Sequence, residues 1–313
     1  MKVIFFGTPE FAVPSLKAIS LHHDVVAVVT QLDKPVGRKK TPVYSPVKQF
    51  AVQHDIPVLQ FEKVRRDGVE QLKSLNADVM VSCAYGQIFS KEILDITPYG
   101  MYNIHGSILP KYRGSAPIQW SIINGEKTCG ITILKTDVGL DDGDMLLKSE
   151  VEIKPYETSE ELFERLSLVG ADCIIKALNM LETNNYTLIP QDPALTTTCT
   201  MLKPELSKLD FSKSATELCN LIHGINPWPV AKVTIEGANF KVFRARVVSE
   251  NYSGECGEVV VANNKLGLVV KCGVGAIEFT EIQPDNGKRM PAKSYLNGKK
   301  ITLGAIVSWT KNF

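Results

Sequence analysis

At 313 residues, 44% of them hydrophobic and 22% charged, the chain is too long for one ordinary domain and too apolar to be disordered. A net charge of +1 excludes a composition that would by itself announce a nucleic-acid binder. The seven cysteines include no CxxC pair, which excludes a disulfide framework and a thiolate zinc site and points to reduced thiols in a cytoplasm.

"KVIFFG" reads as a first buried strand ending at Gly7, followed by a helix with Thr8 as N-cap and Pro9 at its first position. Further strands are expected at 24–30, 77–86 and 100–107, with a helix at 46–55 between the first two of these. Strands alternating with helices predict an α/β domain, a Rossmann-like, doubly wound and mostly parallel sheet. Ligands of such sheets bind at the carboxyl ends of the strands, where Gly7, Gly86 and His105 lie. Residues 129–153 read as two strands around a polar loop, and 158–181 as an amphipathic helix opened by a Thr158/Glu161 capping box. The start "MKVIFFGTPEF" is too soon interrupted for a signal peptide, and no apolar run reaches the roughly 20 residues of a membrane span.

Beyond 184 the texture changes to a polar, proline-bearing stretch, then a short helix at 214–225 and glycine-broken β-rich runs. These predict a small C-terminal β-barrel of OB-like type. The expected division is a catalytic domain at 1–184, a linker at 185–203 and a second domain at 204–313. Charge follows this division. Residues 206–313 carry 14 Lys/Arg and 9 Asp/Glu, a surplus of 5, against −4 for the remainder. A basic barrel suits a nucleic-acid backbone, although a plain solvated surface has the same composition.

The segment "NIHGSILPKYRGSAPI" (103–118) carries the chemistry. Strand periodicity sets Asn103 and His105 on one face, where an amide donor and an imidazole stabilise charge growing on a carbonyl oxygen. A carboxylate to orient the imidazole is offered by "DVGLDDGD" (137–144), but spacing does not rank Asp137, Asp141, Asp142 and Asp144. The loop lacks the alternation and terminal Glu of an EF-hand, so no metal is expected. Ser107 has no nucleophile elbow around it, and Cys83 no adjacent base.

"FFGTPEFAVPSLKAI", "GRKKTPVYSPVK", "NIHGSILPKYRGSAPIQWSIINGE", "TDVGLDDGDML" and "INPWPVA" resemble the methionyl-tRNA formyltransferase family, a likeness that runs through essentially the whole chain. The resemblance implies transfer of the formyl group of 10-formyltetrahydrofolate to the α-amino group of methionyl initiator tRNA. It implies Asn103, His105 and Asp141 as the catalytic trio. It implies tetrahydrofolate contacts by Ser107, Ile108, Leu109 and Pro110 and, around the pterin, by Gln87, Phe89, Asp137 and Leu140. Ile108 departs from the usual leucine, a swap of equal size. The loop 33–48, with four lysines and one arginine, reads alone as a solvated charged face. The resemblance makes it a reader of the tRNA acceptor arm, with Arg38 as reader and Lys39 and Lys40 on phosphate. It further implies tRNA contacts by Lys293, Lys299 and Lys300 of the C-terminal domain, and a monomer in the bacterial cytoplasm with no metal and no membrane partner. Two rivals remain: an enzyme of the same fold acting on a small amine, and a non-catalytic RNA-binding module.

Overall fold

The computed structural model describes residues 1–36 and 41–309, the side chains of 34–36 and 41 excepted. Arg38, Lys39 and Lys40 therefore lie outside the described residues. Contacts group the chain into two units. The first is Met1–Ser115, Cys129–Val151 and Phe163–Cys199; the second is Ala116–Thr128, Glu152–Leu162 and Thr200–Phe313. This is not the contiguous division expected from the sequence, because 116–128 and 152–162 group with the later residues and most of 185–203 with the earlier ones.

The first unit is built on a seven-stranded sheet. Its spatial order is Met145–Glu152, Thr128–Lys135, Met101–His105, Val79–Cys83, Lys2–Gly7, Asp24–Thr30, Val58–Gln60. The last five strands in that order pair in parallel, and Thr128–Lys135 runs antiparallel to Met101–His105. Lys2–Gly7 and Val79–Cys83 are almost continuous apolar runs because helices cover both faces, as in other parallel sheets. The long helix Ser159–Glu182 opens with the expected capping box: Thr158 N–H donates to Glu161 Oε2 at 2.9 Å, and Glu161 N–H to Thr158 Oγ1 at 3.3 Å. Gly170 of this helix comes so close to the sheet that a Cβ there would lie 3.1 Å from Ile104.

The carboxyl ends of the strands are laced together by side chains. Thr8 does not cap a helix as its position suggested, since the turn Glu10–Ala12 has Pro9 as its N-cap. Its hydroxyl instead donates to the Tyr85 carbonyl at 3.2 Å and accepts from Gln31 N–H at 3.4 Å. Gln31 Nε2 reaches the same carbonyl at 3.0 Å. A short hairpin pairs Lys34–Val36 with Thr41–Val43 across the undescribed residues.

In the second unit the sheet order is Ala231–Ile235, Ala238–Val248, Ala276–Pro284, Gly267–Lys271, Val259–Asn263, with antiparallel neighbours. Both outer strands bond to one late segment: Val259 N–H donates to the Ala305 carbonyl, and Thr234 and Ser308 exchange a pair of backbone bonds at 2.8 and 2.9 Å. The helix Ala215–Gly224, capped by a Ser214/Glu217 box, sets Leu218 and Ile222 among Val242, Val270, Ile277 and Phe279. No described helix is long and apolar enough to cross a membrane.

Candidate active site

Asn103 and His105 end the strand Met101–His105 on one face, as period-two alternation requires. The Asn103 amide is oriented from behind: Ser82 Oγ donates to its Oδ1 at 3.0 Å, so Nδ2 turns the other way, 3.4 Å from Asp141 Oδ1. His105 is buried, and its Nε2 lies 2.9 Å from the Tyr112 carbonyl. A carbonyl only accepts, so Nε2 carries a proton. Nδ1 faces Asp141 Oδ2 at 3.6 Å.

The four carboxylates that spacing could not rank are separated by geometry. Asp141 turns inward, with Oδ2 accepting the Gly114 N–H at 2.9 Å. Asp137 is exposed and accepts its own neighbour's amide, from Val138 at 2.7 Å, while Asp142 and Asp144 are exposed. Asp141 holds a left-handed backbone, φ +48°, which a non-glycine residue keeps only when surroundings enforce it.

The enforcing residues lie in the stretch read from sequence as a linker. Gln191, buried, donates from Nε2 to the carbonyls of Asp141 and Gly143, both at 2.8 Å. Its Oε1 accepts from Arg113 Nε at 2.9 Å. Thr198–Cys199 pairs in parallel with Arg113–Gly114, and Thr197 Oγ1 accepts the Tyr112 amide at 2.9 Å. The stretch therefore braces the two groups, Tyr112 O and Gly114 N–H, that hold His105 and Asp141. Burial, with Asp141 nearby, pushes the Cys199 thiol up to about 11, so it stays protonated and donates to the Tyr112 and Arg113 carbonyls at 3.5 Å. Burial likewise raises the Cys83 thiol, which suits core packing and not attack.

Residues 107–110 form a self-bonded turn. Ser107 Oγ donates to the Lys111 carbonyl at 2.7 Å, Leu109 is fully buried with its amide on Thr132 Oγ1, and the Leu109–Pro110 bond is cis. Gly130 makes room for Ile108, whose Cδ1 lies 2.3 Å from where a Cβ would stand. The Ser107 and Leu109 side chains thus shape the turn, and Ile108 and Pro110 are its half-buried members. Gln87 is also committed: Oε1 accepts from Val64 N–H at 2.8 Å and Nε2 donates to the Phe61 carbonyl at 3.1 Å. Phe89 packs edge-on against Phe6 and in parallel with Tyr85. Exposed apolar side chains stand in the two loops named for the pterin: Ile88 beside Gln87 and Phe89, and Val138 and Leu140 beside Asp137.

In the second unit Arg244 and Arg289 pair with carboxylates, Arg244 with Glu161 at 2.6 Å and Arg289 with Glu281 at 2.8 Å, which removes part of the basic surplus. Lys293 donates to the Lys265 carbonyl at 2.8 Å, and Lys299 and Lys300 are exposed. Sequence reasoning missed Ser82, Tyr112, Gly114 and Gln191. Tyr112 and Gly114 lie within the segment 103–118 but act through backbone groups that no side-chain pattern marks, and Gln191 acts from a distant stretch.

Residues 1–178 match the formyl transferase family and 201–300 the formyl transferase C-terminal domain family. A methionyl-tRNA formyltransferase of Ruminiclostridium cellulolyticum is 46% identical over 308 residues, covering 97% of this chain and 98% of the relative. One of Acetivibrio thermocellus is 44% identical over 309 residues, covering 98% and 99%. Among solved structures, an N-formyltransferase from Helicobacter canadensis in complex with folinic acid and dTDP-3-aminofucose shares the fold, with TM-score 0.68 at 20% identity over 89% of this chain and 98% of that one. With relatives this similar along nearly its whole length, the chain belongs to the methionyl-tRNA formyltransferase family.

Proposed function

We propose that the chain transfers the formyl group of 10-formyltetrahydrofolate to the α-amino group of methionyl initiator tRNA, with Asn103, His105 and Asp141 as the reacting apparatus. The observation that carries the reading is the convergence of the Asn103 amide and the His105 Nδ1 on the Asp141 carboxylate.

The attacking amine must be neutral. A free α-amino group titrates near pH 8, so about a tenth is neutral at pH 7, and the electron-withdrawing ester to tRNA raises that fraction. The amine nitrogen attacks the formyl carbon, and the carbonyl oxygen takes the electron pair. Asn103 Nδ2 donates to that oxygen, and a protonated His105 stabilises it through Nδ1–H. Asp141 holds the imidazolium and accepts, directly or through water, the proton the amine loses. The oxyanion then re-forms the carbonyl, the bond from carbon to N10 breaks, and N10 leaves with the proton that Asp141 took from the amine.

Tetrahydrofolate is a co-substrate in this reading. The exposed Ile88, Val138 and Leu140 and the half-buried Ile108 and Pro110 suit the flat face of a pterin, and main-chain groups at 87–89 and 137–141 suit its edge. The second unit is assigned to tRNA, with Lys293, Lys299 and Lys300 on phosphates, and Arg38, Lys39 and Lys40, which are not part of that unit, are assigned to the acceptor end. We read its six-stranded sheet, whose two outermost strands are joined to residues 305–308, as a closed OB-like barrel. A monomer acting in the bacterial cytoplasm completes the proposal.

The test is transfer of labelled formyl groups to charged initiator tRNA, against amino sugars and free amino acids. Wild-type protein should prefer the tRNA, and His105→Ala should lose roughly 10²–10³ in rate, the value of one group aimed at a developing charge. Preference for a small amine would favour the first rival, and near-normal turnover by His105→Ala would remove His105 from the chemistry.

A further inference from the structure

We infer that Gln191, held by Arg113, is a positioning residue that sets where the Asp141 carboxylate stands. The inference rests on the reading of Asp141 as the proton-handling group. Asp141 lies in a loop between two strands, with its backbone in the left-handed region, which aspartate adopts more readily than most residues but which still leaves its carbonyl to be bonded from outside the loop. One amide nitrogen, Gln191 Nε2, donates to the carbonyls on both sides of the turn, Asp141 O and Gly143 O. Gly143 is pressed against the sheet, since a Cβ there would lie 1.8 Å from the Lys135 carbonyl. The turn is therefore fixed at one end by the sheet and at its apex by Gln191.

Arg113 completes a ring of bonds. Its Nε donates to Gln191 Oε1, which orients the carboxamide so that Nε2 must face the loop. The next residue, Gly114, donates its amide to Asp141 Oδ2. Asp141 is thus gripped twice from one short strand, once on its carboxylate through Gly114 and once on its carbonyl through Arg113 and Gln191. Neither Gln191 nor Arg113 bonds to Asn103 or His105, so their effect on the reaction passes through Asp141.

Single-turnover formylation of charged initiator tRNA tests this, with Gln191→Met and Arg113→Met made in wild-type and Asp141→Asn backgrounds. Methionine keeps the volume of glutamine and removes both donors. Gln191→Met should lower the rate of the chemical step about 10–100-fold, on the scale of an ångström of misplacement, and leave the KM for tRNA within about twofold. In the Asp141→Asn background the same substitution should cost less than about twofold, because the group it positions is already gone. Arg113→Met frees the carboxamide without removing it and should give a smaller loss with the same non-additivity. It carries the test if thermal melting shows that Gln191→Met does not fold. A Gln191→Met rate within twofold of wild type, or equal losses in both backgrounds, overturns the inference. Full activity of Asp141→Asn alone overturns the reading of Asp141 on which it stands.

Discussion

Replacing Gly114 with alanine tests the brace at its narrowest point. Gly114 has φ +104°, and a Cβ there would lie 2.5 Å from the Cys199 carbonyl oxygen. That is about 0.9 Å short of ordinary van der Waals contact, and the obstacle is backbone, which cannot rotate away. The positive φ costs on the order of 1–3 kcal/mol for any residue with a Cβ. The clash must be relieved by opening the pairing of Arg113–Gly114 with Thr198–Cys199, and this withdraws the Gly114 amide from Asp141 Oδ2. A displacement near 1 Å at such a contact costs about 10²-fold in rate. Gly237 serves as the control. It also has positive φ, +80°, but a Cβ there meets nothing within 4 Å. Gly237→Ala should therefore lower stability by a similar strain and leave turnover unchanged. The assay is turnover at saturating tRNA and formyl donor, beside thermal melts of both variants. If Gly114→Ala loses no more activity than Gly237→Ala at matched loss of stability, the contact from Gly114 to Asp141 does not matter to the reaction.

Asp141→Asn should reduce turnover by 10² or more and Asp142→Asn by less than about threefold, because only the first carboxylate faces Asn103 and His105; the reverse ranking in steady-state assays would show that the wrong carboxylate has been chosen. His223 is held neutral, its value lowered to about 4 by burial first and by Arg244 second, with Glu161 opposing. The unfolded chain takes up this proton first, so stability is full above about pH 6.5 and is lost as pH falls toward 4, by about 2 kcal/mol at pH 5. All three tryptophans, Trp120, Trp228 and Trp309, lie in the same unit as His223, so tryptophan-detected urea melts at pH 7.5 and 5 should show a smaller pH effect in His223→Gln; an unchanged effect would assign the loss to other groups. Arg38→Ala should depress formylation of initiator tRNA more than of an acceptor-stem variant, with incomplete rescue by Arg38→Lys, which lacks the planar fork. Neutralising Lys299 and Lys300 should instead weaken all tRNAs alike and flatten the salt dependence by about one unit of slope per phosphate contact. Equal losses on both tRNAs in Arg38→Ala, recovered at low salt, would make it one more phosphate contact.

What was legible in the sequence was what repeats with a short period or stands next to its partner. The valine- and isoleucine-rich runs announced the parallel strands, and alternation alone set Asn103 and His105 on one face. The Thr158/Glu161 box lies within one helical turn of its own helix. Thr8 shows the limit: a hydroxyl before a proline looked like a cap, yet its partners are 77 and 23 residues away. Spacing alone could not rank the four aspartates, and only the family resemblance singled out Asp141, because the geometry depends on a left-handed turn bonded to Gln191, 50 residues later. That residue sat in a polar stretch whose composition says loop and nothing more.

The brace formed by residues 191–199 also sets where this protein can be divided. The residues assigned to the chemistry end at Asp141, and the match to the formyl transferase family ends at 178. A fragment cut there would keep the sheet, the histidine and the carboxylate, but it would lack Gln191 and the strand that clasps Arg113–Gly114. The same gap opens during synthesis. At about 5–20 residues per second, Cys199 follows Asp141 off the ribosome by several seconds. For that interval the sheet that carries His105 can already be folded while its carboxylate loop lacks the two bonds from Gln191. A cut that spares the bonds on the Asp141 loop therefore falls after Cys199, inside what composition alone would treat as a spacer.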